Sequence, residues 1–489
     1  MTLLDSFRRT EVDGVRVVWT PTSHPPTASL VFRVGRADET FLAGGVTHLV
    51  EHLVMRGVGR MPIEVNAHVS THTTEFVATG SGPQVAEFLD RVCRQLSALE
   101  TSALEVERKV LGAEAEGSGC GPAGEAASLR YGCRGAGLLP YRDLGVARLT
   151  AAELEAWAAR SFTRDNVVLG VAGDLPADLR LPLPSGERRG IPPVTARPLR
   201  LPAWEPDSGG TAVSLPVPSA AGMDLALARL AARAVEDVVR HRDGLAYTVD
   251  SDGVRVSPDV SEVAVLADND PGDAVTVVEH MLDVLERFAE HGPGDDELRA
   301  DAEESFEALA DPRHLGDALS AAAAQVLLGL EPETPAQVHA ATLARTREEV
   351  RDATAAALGQ ALVLLPEDQG LERPGFERLA ASTRAVPDGR QLRPRMLRGV
   401  PRGVRLVHGE EGVALRLPDG DLVVHWEDVV GVTVTEAGDH VLQSVDGPAL
   451  PVVLRDFRGA DDVVAAARRR LPAELFVPEP DADRAEMLS

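Results

Sequence analysis

Apolar and polar residues follow two rhythms along this chain. Short blocks at residues 15–19, 29–34 and 75–79 are rich in β-branched and aromatic side chains and predict strands. Residues 44–57, GGVTHLVEHLVMRG, keep the helical period instead. At about 100° per residue, Val46, Leu49, Val50, Leu53 and Val54 share one broad stripe, and His48, Glu51 and His52 cluster opposite it. Helical periodicity returns over residues 85–99 and from 104 to about 116. A glycine-rich break (GSGCGPAG) follows, and then Thr150-Ala-Ala-Glu153, a capping-box pattern, opens a helix ahead of a strand at 166–172. Residues 1–180 thus form a first α+β unit.

Prolines crowd residues 176–208, which predicts an extended linker that neither joins a sheet interior nor continues a helix. Beyond it the order recurs: a strand at 211–217, a long helix from about 224 to 240, strands near 245–249 and 262–267, and helices at 272–290 and 295–309. Thr346-Arg-Glu-Glu349 opens a helix as Thr150 does, and the apolar run at 361–365 ends in Pro-Glu-Asp much as the earlier strand ends in Gly173-Asp174. Residues 205–375 therefore read as a second, related half. A proline- and arginine-rich stretch then precedes short alternating runs from Val404 onward, followed by a helix at 460–471. Many short strands with one terminal helix predict a small β-rich domain at 400–475, which resembles the pleckstrin-homology-like fold, with Trp426 where such folds bury an aromatic. Arg468, Arg469 and Arg470 fit the dipole at that helix's end.

Composition narrows the function classes. With 489 residues and 44% hydrophobic side chains, the chain has material for several cores. Acidic residues outnumber basic ones 76 to 49, and the formal charge of −27 argues against nucleic acid as a partner. Three cysteines (Cys93, Cys120, Cys133) match neither a disulfide framework nor a CxxC metal pair, so a reducing cytoplasm is expected. The amino terminus lacks the apolar core of a secretory signal, and the longest helical apolar stretch, ALSAAAAQVLLGL, is too short to span a bilayer.

The candidate chemistry sits in the first helix. His48 and His52 are four residues apart, about one turn, so both imidazoles can reach one ion from the same face. Two histidines alone fit a solvent-facing pair as well; the intervening Glu51 makes the pattern HxxEH and shifts the weight toward a metal site. A hydrolytic zinc needs a third protein ligand and an open position. The helix LEVERKVLGAEAEG offers Glu107 and Glu114, seven apart on one face, although Glu105 and Glu116 make plain surface acidity an equal reading of that segment.

Taken together, these residues resemble the pitrilysin/insulinase-type inverted zinc peptidases, which include the mitochondrial processing peptidases. The resemblance rests on His48-Leu-Val-Glu51-His52 preceded by Gly-Gly-Val-Thr, on Asn66-Ala67 with Thr73-Thr74-Glu75-Phe76 after it, on Glu107-Arg108 followed at seven residues by Glu114, and on Arg240-His-Arg-Asp-Gly-Leu-Ala-Tyr247 in the second half. It implies an α+β fold of two related α/β-sandwich halves, here with the β-rich domain appended. It further implies one zinc per chain held by His48, His52 and Glu114, with Glu51 as general base and Glu107 supporting the site. Arg240 and Tyr247 are then the groups that bind and polarise substrate, and Asn66 and Ala67 lie on a strand edge that pairs with an extended peptide. The family also implies paired chains, a homodimer or a heterodimer with a related subunit. The segment between His52 and Glu114 is shorter than usual for the family, which leaves Glu114 against Glu116 open. The expected activity is cleavage of short flexible peptides, trimming of a leader among them. A non-catalytic peptide-binding or scaffold subunit, and an adaptor centred on the carboxy-terminal domain, are the alternatives.

Overall fold

The computed structural model describes residues 3–478 apart from 116–118, 142, 207, 396–399, 402 and 419. In the first half, β1 (Arg8–Val12), β2 (Val15–Thr20), β3 (Thr27–Phe32), β4 (Glu64–Val69), β5 (Thr74–Thr79) and β6 (Val167–Ala172) form one sheet in the order β1-β2-β6-β3-β5-β4. Only β2 and β6 run parallel. Successive strand residues point to opposite faces. Val17, Leu30, Phe32, Phe76 and Leu169 accordingly meet helices α1 (Val46–Val58), α2 (Gly82–Ser97), α3 (Leu104–Ala115) and α5 (Ala151–Ser161) on one side. Val18, Val31, Val168 and Ala172 point the other way. A helix between α3 and α5, α4 (Gly121–Tyr131), starts inside the glycine-rich stretch that the sequence marks as a break, with Pro122 in the first turn where its missing N–H costs nothing.

The second half repeats the plan. β7 (Ala203–Glu205), β8 (Thr211–Pro218), β9 (Ala246–Arg255), β10 (Val260–Asn269), β11 (Leu362–Leu364) and β12 (Glu377–Arg378) form a sheet in the order β12-β7-β11-β8-β10-β9. On one face lie α6 (Met223–Glu236), α7 (Ala274–His291) and α11 (Arg347–Leu358). The second half also carries α8 (Asp295–Ala310), α9 (Leu315–Leu328) and α10 (Pro335–Ala344). The two halves exchange a helix. α9 lays Leu319, Ala322, Ala323 and Leu327 on the open face of the first sheet, and α4 lays Ala123, Ala126, Ala127 and Tyr131 on the open face of the second. Small side chains let these backbones come close: a Cβ at Gly170 in β6 would lie 2.5 Å from the Leu319 carbonyl oxygen.

The proline-rich stretch is more structured than its composition suggests. Leu179, Leu181 and Leu183 bury in the first core. Ala203–Glu205, a proline-free triplet between Pro202 and Pro206, enters the second sheet between β11 and β12, correcting the expectation that this stretch stays out of a sheet interior. The carboxy-terminal module has two four-stranded sheets: β13 (Gly389–Leu392), β14 (Arg405–Gly409), β15 (Gly412–Leu417) and β16 (Gly420–His425), then β17 (Val429–Val434), β18 (His440–Ser444), β19 (Ala449–Val452) and β20 (Phe476–Pro478) in the order β19-β18-β17-β20. α12 (Ala460–Arg470) closes its core with Ala460, Val463, Ala466 and Ala467, and Trp426 is buried there. Among the described residues no helix is long and apolar enough to cross a membrane.

A buried ion pair fastens the exchanged α4 to the second sheet. Arg130 donates through two nitrogens to Glu262 at 2.9 and 3.0 Å, Ser214 donates to the same carboxylate at 3.0 Å, and Arg130 also reaches the Gln360 carbonyl at 2.9 Å. Both side chains are shut off from solvent, so removing one partner strands the other. Glu262→Leu is expected to destabilise the protein by about 3–5 kcal/mol in denaturant unfolding, with the double variant Arg130→Met/Glu262→Leu recovering most of the loss; equal losses in the two variants would contradict the clamp.

Candidate metal centre

The helix that carries the histidine pair begins without a capping side chain. Its N-cap, Gly45, sits at φ 92°, a left-handed conformation that suits glycine but leaves the first N–H groups to find other partners. Glu39 supplies them: its carboxylate accepts the Gly45 N–H at 2.8 Å and the Thr47 N–H at 2.9 Å. Burial pushes the Glu39 carboxyl up to about 7 against the pull of these hydrogen bonds. Along α1, Val46, Leu49, Val50, Leu53 and Val54 are all at most 2% exposed. That seating turns His48, Glu51 and His52 toward a cleft of about 690 Å³.

The other wall is α3. Leu104 and Leu111 pin it into the same core, and Glu107 and Glu114, each three residues further on, therefore face α1 together. Glu114 Oε2 lies 3.5 Å from His52 Nε2 and 3.8 Å from His48 Nε2, and ligand atoms of the three residues all fall within 4.8 Å of one another. Glu107 is buried and divides its oxygens, one 3.0 Å from His52 Nδ1 and the other on Arg56 Nε. His48 Nδ1 meets Asp143 Oδ1 at 3.4 Å, and Asp143 stands 3.7 Å from Arg36.

A carboxylate only accepts, so each ring donates through Nδ1 and turns the Nε2 lone pair to the cleft. Burial also pushes the His48 imidazole below its ordinary value, which favours the neutral, ligating form. Two imidazole nitrogens and one carboxylate oxygen converging from the protein side, with the cleft side open, are the donor set that a catalytic zinc takes. Glu51 Oε2 lies 3.8 Å from both Nε2 atoms, and burial pushes its carboxyl up to about 7 while His52 pulls the other way.

Other residues of interest fall in different places. Asn66 and Ala67 lie on β4, the edge strand of the first sheet, and line the same cleft with Arg60 and His68. Arg240 and Tyr247 are not among the described residues that line it. α6 stops at Glu236, and Arg240 follows in a π-helical turn (Asp237–Arg242), paired to Glu236 at 2.5 Å; Tyr247 is 78% exposed on β9, the edge strand of the second sheet. Glu116, the alternative third ligand, lies outside the described residues. The sequence reading missed Asp143 and Glu39. Nothing in the spacing points to Asp143, whereas a helix start at Gly-Gly with no capping side chain was a usable sign that an acceptor such as Glu39 had to come from elsewhere. A second cluster, His425, Glu427 and Asp428, is also close enough to hold an ion, but Arg384 already supplies a positive charge 2.8 Å from Asp428.

By sequence, no family model and no curated protein matches the chain. By structure, it is similar to a protease from Helicobacter pylori (13% identity, 74% of this chain and 99% of that one, TM-score 0.61). It is also similar to the first half of the periplasmic protease PqqL from Escherichia coli (18%, 76% and 93%, 0.57). A third match is a peptidase M16 inactive domain from Pseudomonas fluorescens (16%, 75% and 100%, 0.58). About three quarters of the chain therefore has the fold of pitrilysin-type peptidase domains, a fold that active and inactive members share.

The buried cap gives a pH signature. A carboxyl raised from 4.5 to about 7 on folding stabilises the fold fully below its unfolded value and loses that contribution as pH rises through about 7. Glu39→Gln removes the titration, so the stability of the variant relative to the parent is expected to rise by about 1–3 kcal/mol between about pH 5 and pH 8, read from urea midpoints. A pH-independent difference would contradict a buried, titrating Glu39.

Proposed function

We propose that this chain, whose fold is that of the pitrilysin-type peptidases, is a zinc-dependent endopeptidase acting on short, flexible peptides. The observation that carries this reading is the convergence of His48, His52 and Glu114 beside the Glu51 carboxylate. One zinc per chain would be held by those three residues, where it supplies a Lewis acid for the peptide carbonyl and lowers the pKa of water toward ~7. Glu51, beside both imidazole Nε2 atoms at 3.8 Å, takes the proton from the attacking water and passes it to the leaving amine. Glu107 keeps His52 in the ligating tautomer.

Beside the site, β4 is the edge strand of the first sheet, where the Asn66 side chain holds the Ala67 N–H at 2.9 Å; an extended peptide that displaces this contact adds as a further strand through backbone hydrogen bonds. Arg240 and Tyr247 are assigned to binding and polarising the substrate or steadying the oxyanion. Because they lie outside this cleft, the assignment goes with paired chains, in which the second half of one chain faces the metal of the other. The pair is a homodimer or a heterodimer with a related subunit. Leader trimming of a small precursor peptide, in a reducing cytoplasm, is one form that such cleavage takes. In the same reading the carboxy-terminal module is pleckstrin-homology-like, on its two four-stranded sheets closed by α12.

The structural similarity to a domain described as inactive supports a second reading, a non-catalytic peptide-binding or scaffold subunit. Metal content and cleavage of a mixed peptide pool separate the two. Glu51→Gln is expected to retain zinc and to lose cleavage by about 10²- to 10⁴-fold. A parent protein that neither contains zinc nor regains it on reconstitution would support the scaffold.

A further inference from the structure

The two imidazoles of the metal centre are supported differently. His52 leans on Glu107, which belongs to a regular helix seated in the first core. His48 leans on Asp143, which lies in a turn between helices. Aspartate is short, and a hydrogen bond of 3.4 Å is lost if its backbone retreats by about 1 Å. What fixes the backbone on either side of Asp143 therefore matters to the metal site.

Contacts from both directions lead to the carboxy-terminal module. Tyr141 packs edge-on against Phe41 with ring centres 5.1 Å apart. Gly145 donates its N–H to the Gly44 carbonyl at 2.8 Å and sits so close that a Cβ there would lie 2.7 Å from the Leu42 carbonyl oxygen. Phe41 and Leu42, which follow the capping Glu39, are covered in turn by Val430 of β17, Val477 of β20 and Leu475. At Gly431 a Cβ would come within 2.9 Å of both the Phe41 and Leu42 side chains, so any larger residue there displaces them. A second tether holds the same region: Cys133 N–H donates to the Val445 carbonyl at 2.8 Å, and Arg134 pairs with Asp446 at 2.9 Å.

We propose that Asp143 is a positioning residue for His48, and that the carboxy-terminal module sets its place by bracing Phe41, Leu42 and Tyr141. The proposal rests on the zinc reading above. It gives the appended module a role in the chemistry without contact with substrate: it completes the support of one metal ligand.

Zinc affinity of the full chain, measured by chelator competition, tests this together with the visible spectrum of the cobalt-loaded protein, which reports ligand geometry. Asp143→Ala is expected to weaken zinc by about 10- to 100-fold, the range for losing a ligand's outer partner, and to alter the cobalt bands, while Asp143→Asn, which keeps an acceptor, falls between it and the parent. Gly431→Val, which crowds Phe41 and Leu42 from the module side, is expected to weaken zinc about tenfold in the parent but to add little in the Asp143→Ala background, as required if the module acts through Asp143. Phe41→Ala removes the same contact by deletion and replaces Gly431→Val should that variant not fold. A parent that binds zinc with variants that match it, or effects that simply multiply, would overturn the proposal and leave the peptidase reading standing. A parent that binds no zinc would overturn both.

Discussion

Two imidazoles on one helix share an ion best when each ring is held at its far nitrogen, and this constraint organises the first half of the molecule. Glu107 meets it for His52 at 3.0 Å and Asp143 meets it for His48 at 3.4 Å. With both Nδ1 atoms engaged, both Nε2 atoms are left on the side of the Glu114 carboxylate, 3.8 and 3.5 Å from its Oε2. The apolar stripe of α1 fixes which way the rings face, and the Glu39 cap fixes where the helix begins. Remove one of these supports and the two imidazoles and the Glu114 carboxylate lose part of the alignment that suits them to a single ion.

What the sequence revealed follows the same division. The α1 stripe and the polar trio opposite it were legible because they obey a local period, and the seven-residue step from Glu107 to Glu114 was legible for the same reason, echoed by Leu104 and Leu111 beneath them. Capping boxes at Thr150 and Thr346 located two helix starts, and both are formed. Asp143 and the Arg130–Glu262 clamp were not legible, because each depends on residues brought together only by tertiary folding. α4 was missed for a local reason: its first turn is Gly-Pro-Ala-Gly, whose composition marks a break although proline is well tolerated there. The triplet Ala203–Glu205 was hidden by its proline neighbours in a similar way.

The exchanged helices tie the two halves together. Each sheet buries one face with its own helices and the other with a helix lent by its neighbour, so neither half closes its core alone. β6 shows this in its composition: Val-Val-Leu-Gly-Val-Ala is apolar throughout because helices lie on both sides of it. The carboxy-terminal module adds a third dependence, resting on the residues just ahead of α1. Local sequence chemistry builds the ligand face, and long-range packing holds it still.

The central claim is a metal held jointly by His48, His52 and Glu114, and X-ray absorption at the zinc edge of the purified, zinc-loaded chain tests it most directly. The account predicts a four-coordinate shell of two imidazole nitrogens and two oxygens at about 2.0–2.2 Å. A shell without imidazole scattering would contradict it.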